Sequence, residues 1–473
     1  MLRNTCCSLV AMGVSGNLWR CSTRRGMGGT MMLAASIFKR WTLAPRPRLD
    51  RTMTPERIMA WAIPAFFVLI AIEFVVARVR GDRAYRCNDA INSLGLGVIS
   101  QLVGVFTKLL SVGMYAWCAQ HLALFRLSPN SIAVWISALL LYDFLYYWLH
   151  RMGHEVNLLW AAHVVHHQSE DYNLTTALRQ TGSGVLLGWL FYLPMALLGY
   201  PVEVFVVVAL IDLLYQFWVH TGQIGKLGWF DRVFCSPSNH RAHHAVNDRY
   251  LDKNYGGILI LWDRLFGTFT EEDDSEPPVF GTRSPLRSWN PLWANAEVYW
   301  AMAQDAWHAE RWRDKLQLWF RPPGWRPADV AARFPKPPFD LHHPRYDPPM
   351  SRALTVYLLL QFALLLGMSM HFLALVPTGS LPLLLGYAAY LVAALCVLGV
   401  LMEGRAVALW LEGVRVVATA LVPALSGQWF GMAHLDGYMT LAMALIFGLS
   451  ALALPWLRDG RPARSVHPGA APG

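Results

Sequence analysis

Long apolar segments dominate this sequence and restrict what it can fold into. A helix of about 20 apolar residues is long enough to cross the hydrocarbon core of a bilayer. Runs of this kind lie at 58–77, 94–117, 131–149, 353–375, 381–402, 405–425 and 437–457. Two more, at 184–200 and 202–219, meet at Pro201 and are expected to form a hairpin, because proline breaks a helix. The pattern predicts an all-α, multi-pass integral membrane protein.

The composition agrees with a membrane protein and argues against a soluble enzyme or a disordered chain. Of the 473 residues, 55% are hydrophobic and 15% are charged, whereas soluble domains carry about 25% charged residues. The net charge of +9 is also compatible with binding to nucleic acid, but the sequence has no basic stripe and no nucleic-acid motif. We therefore attribute the charge to arginine-rich loops that face the cytoplasm and anionic lipid.

The apolar runs and the segments between them divide the chain into five parts. Residues 1–52 are expected to be a disordered leader or the result of a start codon assigned too early. A membrane domain at 53–290 carries the histidine clusters, and a polar connector at 291–350 is rich in Trp and Pro. A C-terminal membrane block at 351–457 follows, and the Arg-, Pro- and Gly-rich tail at 458–473 is expected to be disordered.

The distribution of arginines predicts how the chain is oriented in the membrane. The residues after the first apolar run include Arg78, Arg80, Arg83 and Arg86. Arginine-rich loops lie on the cytoplasmic side of a membrane. Counting the crossings from this loop places both His150 and His240 on the cytoplasmic face, in a bacterial inner membrane or the endoplasmic reticulum.

Histidines are concentrated in three short clusters. Their members are His150 and His154, then His163, His166 and His167, then His240, His243 and His244. Spacings of three and four residues place the imidazoles of a cluster on one face of a helix. His220 follows the run 202–219 and is a ninth candidate, either as a ligand or as a partner behind the ligands. Two copies of the pattern HxxHH are very unlikely by chance, so the clusters predict a metal site.

The number and type of ligands indicate two metal ions. A structural zinc ion takes four ligands, so eight or nine histidines exceed the needs of one ion. An all-imidazole set without thiolates suits iron, copper or zinc. The seven cysteines form no CxxC pair, which argues against a zinc ribbon and a disulfide framework. Because the HExxH motif of zinc proteases is also absent, we favour a di-iron centre that activates dioxygen for attack on an alkyl chain.

Three carboxylates near the clusters are candidates for holding the imidazole N–H groups. Glu155 and Asp171 lie beside the clusters in the sequence, and ordinary solvated loop charges are the alternative interpretation. Asp143 lies two helical turns before His150 on the same face, inside an apolar run, where an acid usually has a partner and a purpose.

The motifs resemble those of the fatty acid hydroxylase/sterol desaturase superfamily, and more closely its alkylglycerol monooxygenase branch. The resemblance is carried by YWLHRMGHE at 147–155, HHQSEDYNLTTALRQ at 166–180, LYQFWVHT at 214–221 and DKNYGGILILWDRLFGTF at 252–269. It is strong over about 140–270. The histidine pattern is typical of the whole superfamily, and the run from Ser169 to Gln180 selects the branch.

The resemblance implies an activity and its cofactors. Members of the branch use dioxygen and a tetrahydropterin to hydroxylate the carbon next to the ether oxygen of a glycerol ether lipid, which then yields a fatty aldehyde and a glycerol derivative. The nine histidines would hold two iron ions, with His220 as an additional ligand or a supporting partner. No sequence feature identifies a pterin pocket, so this cofactor rests on the resemblance alone.

Two other functions stay open at this point. The first is a hydroxylase or desaturase of fatty acids, sterols or carotenoids that receives electrons from a reductase partner. The second is a metal transporter that uses the histidines for passage. The clusters flank the apolar runs, whereas transport sites lie near the middle of the bilayer, and this position disfavours transport.

Overall fold

A computed structural model describes residues 55–432 and 437–459 of the chain. This described part is helical and contains isolated β-bridges but no β-strand. The predicted all-α fold is therefore confirmed. The expected leader at 1–52 and most of the expected tail at 458–473 lie outside the described residues, and the proposed domain boundaries stay predictions.

The first half of the described chain alternates long helices with short ones. Its α-helices are α1 Pro55–Val79, α2 Cys87–His121, α3 Ile132–Glu155, α4 Asn157–His167, α5 Leu174–Ala177, α6 Leu193–Leu198, α7 Val202–Trp218, α8 Phe230–Val233 and α9 Pro237–His244. The second half continues with α10 Leu261–Phe266, α11 Pro291–His308, α12 Trp312–Gln317, α13 Ala328–Arg333, α14 Arg352–Leu375, α15 Leu381–Met402, α16 Ala408–Ser426 and α17 Gly437–Asp459. Short 3-10 helices lie at Gly184–Leu186, Gly188–Tyr192 and Leu318–Phe320.

Seven helices of the described chain are long and apolar enough to cross a membrane. These candidate spans are Trp61–Val79, Cys87–Thr107, Ile132–Glu155, Arg352–Leu375, Leu381–Met402, Ala408–Ser426 and Gly437–Leu457. Large apolar side chains project outwards from them, and Trp61 is 72% and Leu425 83% exposed. Such surfaces are unfavourable in water and favourable in lipid. The protein is a multi-pass membrane protein, as predicted.

One predicted element is wrong. The apolar run 184–200 was expected to be the first arm of a helical hairpin, but it forms two 3-10 turns and the short helix α6. Gly184 and Gly188 weaken a continuous helix by their backbone freedom, and α6 ends at Gly199, whose φ is +87°. A Cβ atom at Gly199 would lie 1.9 Å from the carbonyl oxygen of Phe125. The second arm is present as α7.

The C-terminal helices pack against the front half of the molecule. Ile91, Ile99 and Leu102 of α2 share one apolar core with α14 and α15, including Leu358 and Leu391, which are fully buried. A separate core joins α2, α3, α6 and α7. Helix α2 therefore connects the C-terminal block to the helices that carry the histidines.

A buried ion pair lies within the C-terminal block. Arg415 on α16 donates to Glu412 from Nε at 2.7 Å and from Nη2 at 2.6 Å, and Nη2 also lies 2.6 Å from Oε1 of Gln361 on α14. The hydroxyl of Tyr357 donates to Glu412 at 2.5 Å. Because charges are costly inside a membrane unless they are paired, this cluster joins α14 to α16. At the end of α15, the buried side chain of Glu403 pairs with Arg405, whose side chain is exposed.

Candidate metal centre

The structure brings all nine candidate histidines together in two groups. Within each group the possible ligand nitrogens lie within 4.8 Å of one another. The first group, here called the five-histidine group, consists of His150, His154, His163, His167 and His243. The second, the four-histidine group, consists of His166, His220, His240 and His244.

Each group draws its members from segments that are distant in the sequence. Residues His150 and His154 lie one turn apart at the end of α3, which stops where Val156 adopts an extended conformation. Helix α4 then begins and carries the second cluster. The two helices approach closely, since a Cβ atom at Gly153 would lie 3.5 Å from the ring of His163. Helix α9 carries the third cluster and begins with Pro237 after Ser236, whose side chain caps it.

Backbone carbonyls hold four of the imidazoles from behind. The contacts run from Nδ1 of His150 to Tyr255 O at 2.8 Å, of His166 to Arg179 O at 2.9 Å, of His220 to Gln216 O at 2.8 Å and of His243 to Lys253 O at 2.9 Å. A carbonyl oxygen only accepts, so Nδ1 of each ring must be the protonated nitrogen. In a neutral ring, this leaves the lone pair on Nε2.

The decisive contact lies between His166 and His220. Their Nε2 atoms are 3.0 Å apart and buried. Both rings already donate from Nδ1 to a carbonyl, so two lone pairs face each other across this short distance. Such an arrangement is repulsive in a buried site unless a proton or a metal ion lies between the atoms.

Burial keeps these rings neutral and therefore available as ligands. Loss of hydration lowers the pKa of His166 to about 4 and holds the pKa of His220 and His244 well below the usual value. The neighbouring histidines lower the pKa of His220 and His244 further, because two imidazolium ions side by side would repel each other. A proton between His166 and His220 is thus disfavoured, and a metal ion is the cation that fits.

The five-histidine group also has a donor spacing that fits a metal ion. In the five-histidine group, the Nε2 contacts from His150 to His163, His163 to His167 and His167 to His243 measure 3.1, 3.1 and 3.2 Å. Two nitrogens bound to one ion at about 2.1 Å, with a right angle between the bonds, lie roughly 3 Å apart. The buried Nε2 of His154 has no hydrogen-bond partner among the described residues. Neutral imidazole nitrogens suit iron, copper and zinc.

A model of the fatty acid hydroxylase family matches residues 135–268, which include all nine histidines. The human protein named alkylglycerol monooxygenase is 36% identical over 357 residues, which are 75% of this chain and 80% of the human one. The chain belongs to the alkylglycerol monooxygenase family. The zebrafish (Danio rerio) member is also 36% identical, over 83% of this chain and 86% of its own length.

Proteins of other names match a shorter part of the chain. The ornithine lipid hydroxylase OlsE of Rhizobium tropici is 30% identical over 139 residues, or 28% of this chain and 41% of that protein. No solved structure matches the chain. The family resemblance predicted from the motifs is confirmed.

In this alkylglycerol monooxygenase family member, a carboxylate supports the loop behind the five-histidine group. Asp263 on α10 accepts hydrogen bonds from the backbone N–H groups of Tyr255 and Gly256 at 2.8 and 2.7 Å, and from the hydroxyl of Thr268 at 2.7 Å. Burial raises the pKa of Asp263 to about 6, although these hydrogen bonds oppose the rise. The loop that offers its Tyr255 carbonyl to His150 is therefore held from the outside.

The three carboxylates predicted to hold imidazoles have other partners. Asp143 accepts from the backbone N–H groups of Ile258 and Leu259 and from the indole of Trp262, so it supports the same loop instead of a ring. Glu155 pairs with Arg151 at 2.8 Å. The hydrogen bonds and the ion pair of Asp143 and Glu155 are therefore made with groups other than imidazoles.

Asp171 also differs from the expectation. It pairs with Arg86 at 3.0 Å and with Arg345 at 3.2 Å, and so it joins the segment after α4 to α2 and to the connector. Backbone carbonyls hold the imidazoles of His150, His166, His220 and His243, where the sequence predicts carboxylates.

The most important supporting groups were missed by the sequence analysis. Backbone carbonyls carry no residue signature, so nothing in the sequence marks those of Tyr255, Arg179, Gln216 and Lys253. The carboxylate of Asp252 lies 3.7 Å from Nδ1 of His154. The φ of +56° at Asp252 is unusual for a residue other than glycine. The Asn-Tyr-Gly-Gly sequence at 254–257 was the available signal for a close backbone approach.

Proposed function

We propose that this protein is a membrane monooxygenase that hydroxylates the carbon next to the ether oxygen of an alkylglycerol lipid. The product, a hemiacetal, collapses to a fatty aldehyde and a glycerol derivative. Membership of the alkylglycerol monooxygenase family over most of the chain supports this substrate class. The facing Nε2 atoms of His166 and His220 carry the proposal of a metal-dependent reaction.

The two histidine groups would each hold one iron ion. Bound iron would activate dioxygen for insertion into a C–H bond, using electrons that the tetrahydropterin or a reductase supplies. The chain's own contribution is to fix the imidazoles. Carbonyls behind His150, His166, His220 and His243 set which nitrogen is protonated and how each ring is turned.

The protein also keeps the centre dry. His240, His243 and His244 are each less than 5% exposed, and the ring of Tyr172 packs beside the four-histidine group at 5.8 Å from His220 and 5.3 Å from His244. A water-poor site strengthens electrostatic contacts and limits side reactions of reactive species. Because α3 carries its two histidines at the end of a candidate span, an alkyl chain lying in the bilayer can reach the centre.

Dioxygen and a tetrahydropterin are the proposed co-substrates. The proposal of a pterin is based on the family resemblance alone. A reductase that delivers electrons is the alternative source. We propose that the centre faces the cytoplasm, since the arginine-rich segment after α1 lies on its side of the membrane. Arg80 in that segment donates to the carbonyl of Gln223, three residues beyond His220.

The test is a product assay with the purified full-length protein. It would be loaded with ferrous iron and supplied with an alkylglycerol and dioxygen, with and without tetrahydropterin, and fatty aldehyde would be measured. Pterin-dependent aldehyde is the expected result. A protein that holds about two iron ions per chain but forms no aldehyde would contradict the substrate assignment, and acyl lipids and sterols with a reductase would be tested next.

Metal transport is tested by a separate experiment. Reconstituted vesicles would be assayed for iron and zinc flux. We expect none above the background of empty vesicles, because the histidines are buried in two closed groups at one end of the spans. Flux that saturates with metal concentration would contradict the enzyme assignment.

A further inference from the structure

A cavity of about 240 Å³ lies outside the metal centre, where the first membrane helix ends. The last turns of α1 contribute Phe74, Ala77 and Arg78 to its wall, and the segment between α1 and α2 contributes Arg83 and Arg86. Ligand pockets for whole small molecules occupy roughly 300–1,000 Å³, so this cavity suits one polar headgroup. The end of a membrane span is also where lipid headgroups lie.

The arginines around the cavity differ in how far their charge is balanced. Arg86 pairs with Asp171 and is largely buried, so it belongs to the wall. Arg78 lies over the ring of Phe74, 5.2 Å from its centroid. Among the described residues, neither Arg78 nor Arg83 has a carboxylate partner. Arg78 and Arg83 therefore contribute positive charge to the cavity that no ion pair neutralises.

Asp82 and Glu73, the acidic groups close to the cavity, accept hydrogen bonds from neutral donors and form no ion pair with its arginines in the described structure. Asp82, the acid among the lining residues, accepts a hydrogen bond from Nε2 of Gln223 at 2.7 Å. Glu73 lies behind Tyr85 and accepts hydrogen bonds from Tyr85 and from Thr221. The lining therefore holds three guanidinium groups against the one carboxylate of Asp82, which leaves it positive towards an anion.

The cavity wall is connected to the metal centre. Tyr85 donates to Glu73, and Glu73 accepts from Thr221, the residue next to His220. Arg86 holds Asp171, the residue next to Tyr172, whose ring packs on the four-histidine group. A ligand that orders the segment 80–86 would therefore also stabilise the surroundings of the histidines.

We propose that this cavity binds the phosphate group of an anionic membrane phospholipid, and that the bound lipid stabilises the segment 80–86. Guanidinium groups donate paired hydrogen bonds to phosphate oxygens, which makes arginine well suited to this ligand. Phe74 and Ala77 offer an apolar surface on the membrane side of the same cavity, where the glycerol backbone and the start of an acyl chain would lie. The proposal is independent of the reaction assigned to the metal centre.

The experiment uses purified full-length protein in a neutral detergent. Short-chain phosphatidic acid would be titrated, with phosphatidylcholine and diacylglycerol of the same chains and inorganic phosphate as separate arms. Native mass spectrometry would report binding, and the melting temperature would report stabilisation. We expect phosphatidic acid to bind and to raise the melting temperature. The variant with Arg78→Gln and Arg83→Gln should bind it roughly 30-fold more weakly, since each arginine near an anionic lipid contributes about fivefold.

Arg126→Gln is the matched control. It removes the same charge from an exposed position beyond the other end of α2 and should leave binding unchanged. Equal weakening in the control, or tight binding by the double variant, would overturn the site. Equal binding of diacylglycerol would overturn the role of the phosphate, and equally tight binding of inorganic phosphate would overturn the role of the lipid. If the double variant does not fold, Arg83→Gln alone decides, with an expected loss of about fivefold.

Discussion

The carboxylate of Glu73, in the first membrane helix, lies 2.5 Å from the hydroxyl of Thr221, the residue next to His220. Glu73 is 5% exposed and also accepts hydrogen bonds from the hydroxyl of Tyr85 and from the backbone N–H of Leu174. One buried acid thus joins α1, the segment after it, α5 and the residue beside a candidate ligand. It is a positioning residue, since it touches no imidazole in the described structure.

Replacing Glu73 tests that role. Glu73→Leu leaves three donors without their acceptor, and each unpaired buried group costs about 1–3 kcal/mol. We expect the free energy of unfolding to fall by at least about 2 kcal/mol and the metal content of the four-histidine group to fall with it. Glu203→Leu, which removes an exposed acid at the start of α7, is the control. Unchanged stability in Glu73→Leu would contradict the assignment.

The two histidine groups predict different responses to the loss of one ligand. His220→Ala reduces the four-histidine group to three, whereas His163→Ala leaves the other group with four. Loss of a supporting partner alone weakens metal affinity by about 10–100-fold, so loss of a ligand should weaken it at least as much. We expect His220→Ala to lose about one iron per chain and His163→Ala to keep more, and both to lose most activity.

Metal analysis of the purified variants would check this order. His308 is half-buried, and its ring contacts only its own helix and Phe334 in the described structure, so His308→Ala should keep its metal and its activity. Equal metal content in His220→Ala and the unmodified protein would remove His220 from the ligand set.

Removal of the Tyr255 hydroxyl is expected to raise the stability of the protein and to lower its activity. It is buried and has no hydrogen-bond partner among the described residues, and its ring lies 5.3 Å from that of His154. A buried unpaired hydroxyl is destabilising, so Tyr255→Phe should raise the free energy of unfolding by about 1 kcal/mol. Because the ring of Tyr255 packs against those of His150, His154 and His243, we expect turnover to fall at unchanged metal content. Thermal unfolding, kcat and metal analysis are the measurements.

Tyr250→Phe is the matched control for Tyr255→Phe. Tyr250 is equally buried, but its hydroxyl donates to the carbonyl of Glu276 at 2.8 Å. This variant should therefore lose about 1 kcal/mol of stability. The same sign of change in both tyrosine variants would show that the Tyr255 hydroxyl has a partner.

Gly257 tests the close approach of the loop behind the five-histidine group. A Cβ atom there would lie 2.8 Å from Oδ1 of Asp212 and 3.0 Å from Oδ1 of Asp143. Gly257→Ala should therefore displace the loop and cost about 1–3 kcal/mol. At Gly225 a Cβ atom would meet nothing within 4 Å, and Gly225→Ala should be neutral. The melting temperatures of the two variants are the measurement. Equal values would contradict a close approach of the loop to Asp143 and Asp212 at Gly257.

The ion pair of Arg415 and Glu412 predicts how the C-terminal block is stabilised. Arg415→Leu leaves a buried carboxylate unpaired, and breaking a buried pair in this way costs about 3–5 kcal/mol. The double variant with Glu412→Leu should recover much of that loss, since apolar replacement of both partners removes the buried charge. Thermal unfolding of the three proteins is the measurement. A double variant as unstable as the single one would point to a role beyond pairing.

Much of this architecture can be predicted from the sequence, for physical reasons that are local. A run such as 353–375 is apolar for long enough to cross a bilayer whatever surrounds it, and it forms α14 almost to the residue. The i, i+4 spacing of His150 and His154 puts both rings on one face of a helix wherever that helix lies. Membrane helices, histidine clusters and the family resemblance were all accessible in this way.

The tertiary structure alone decides how the nine histidines are shared. The sequence spacing does not show that His166 and its neighbour His167 belong to different groups. That division depends on where α4, α7 and α9 meet. The groups behind the rings are equally non-local. Carbonyl oxygens such as Tyr255 O exist at every residue, and only packing of the loop by Asp143 and Asp263 aims this one at His150. Local periodicity specifies the helices, and long-range packing specifies the centre.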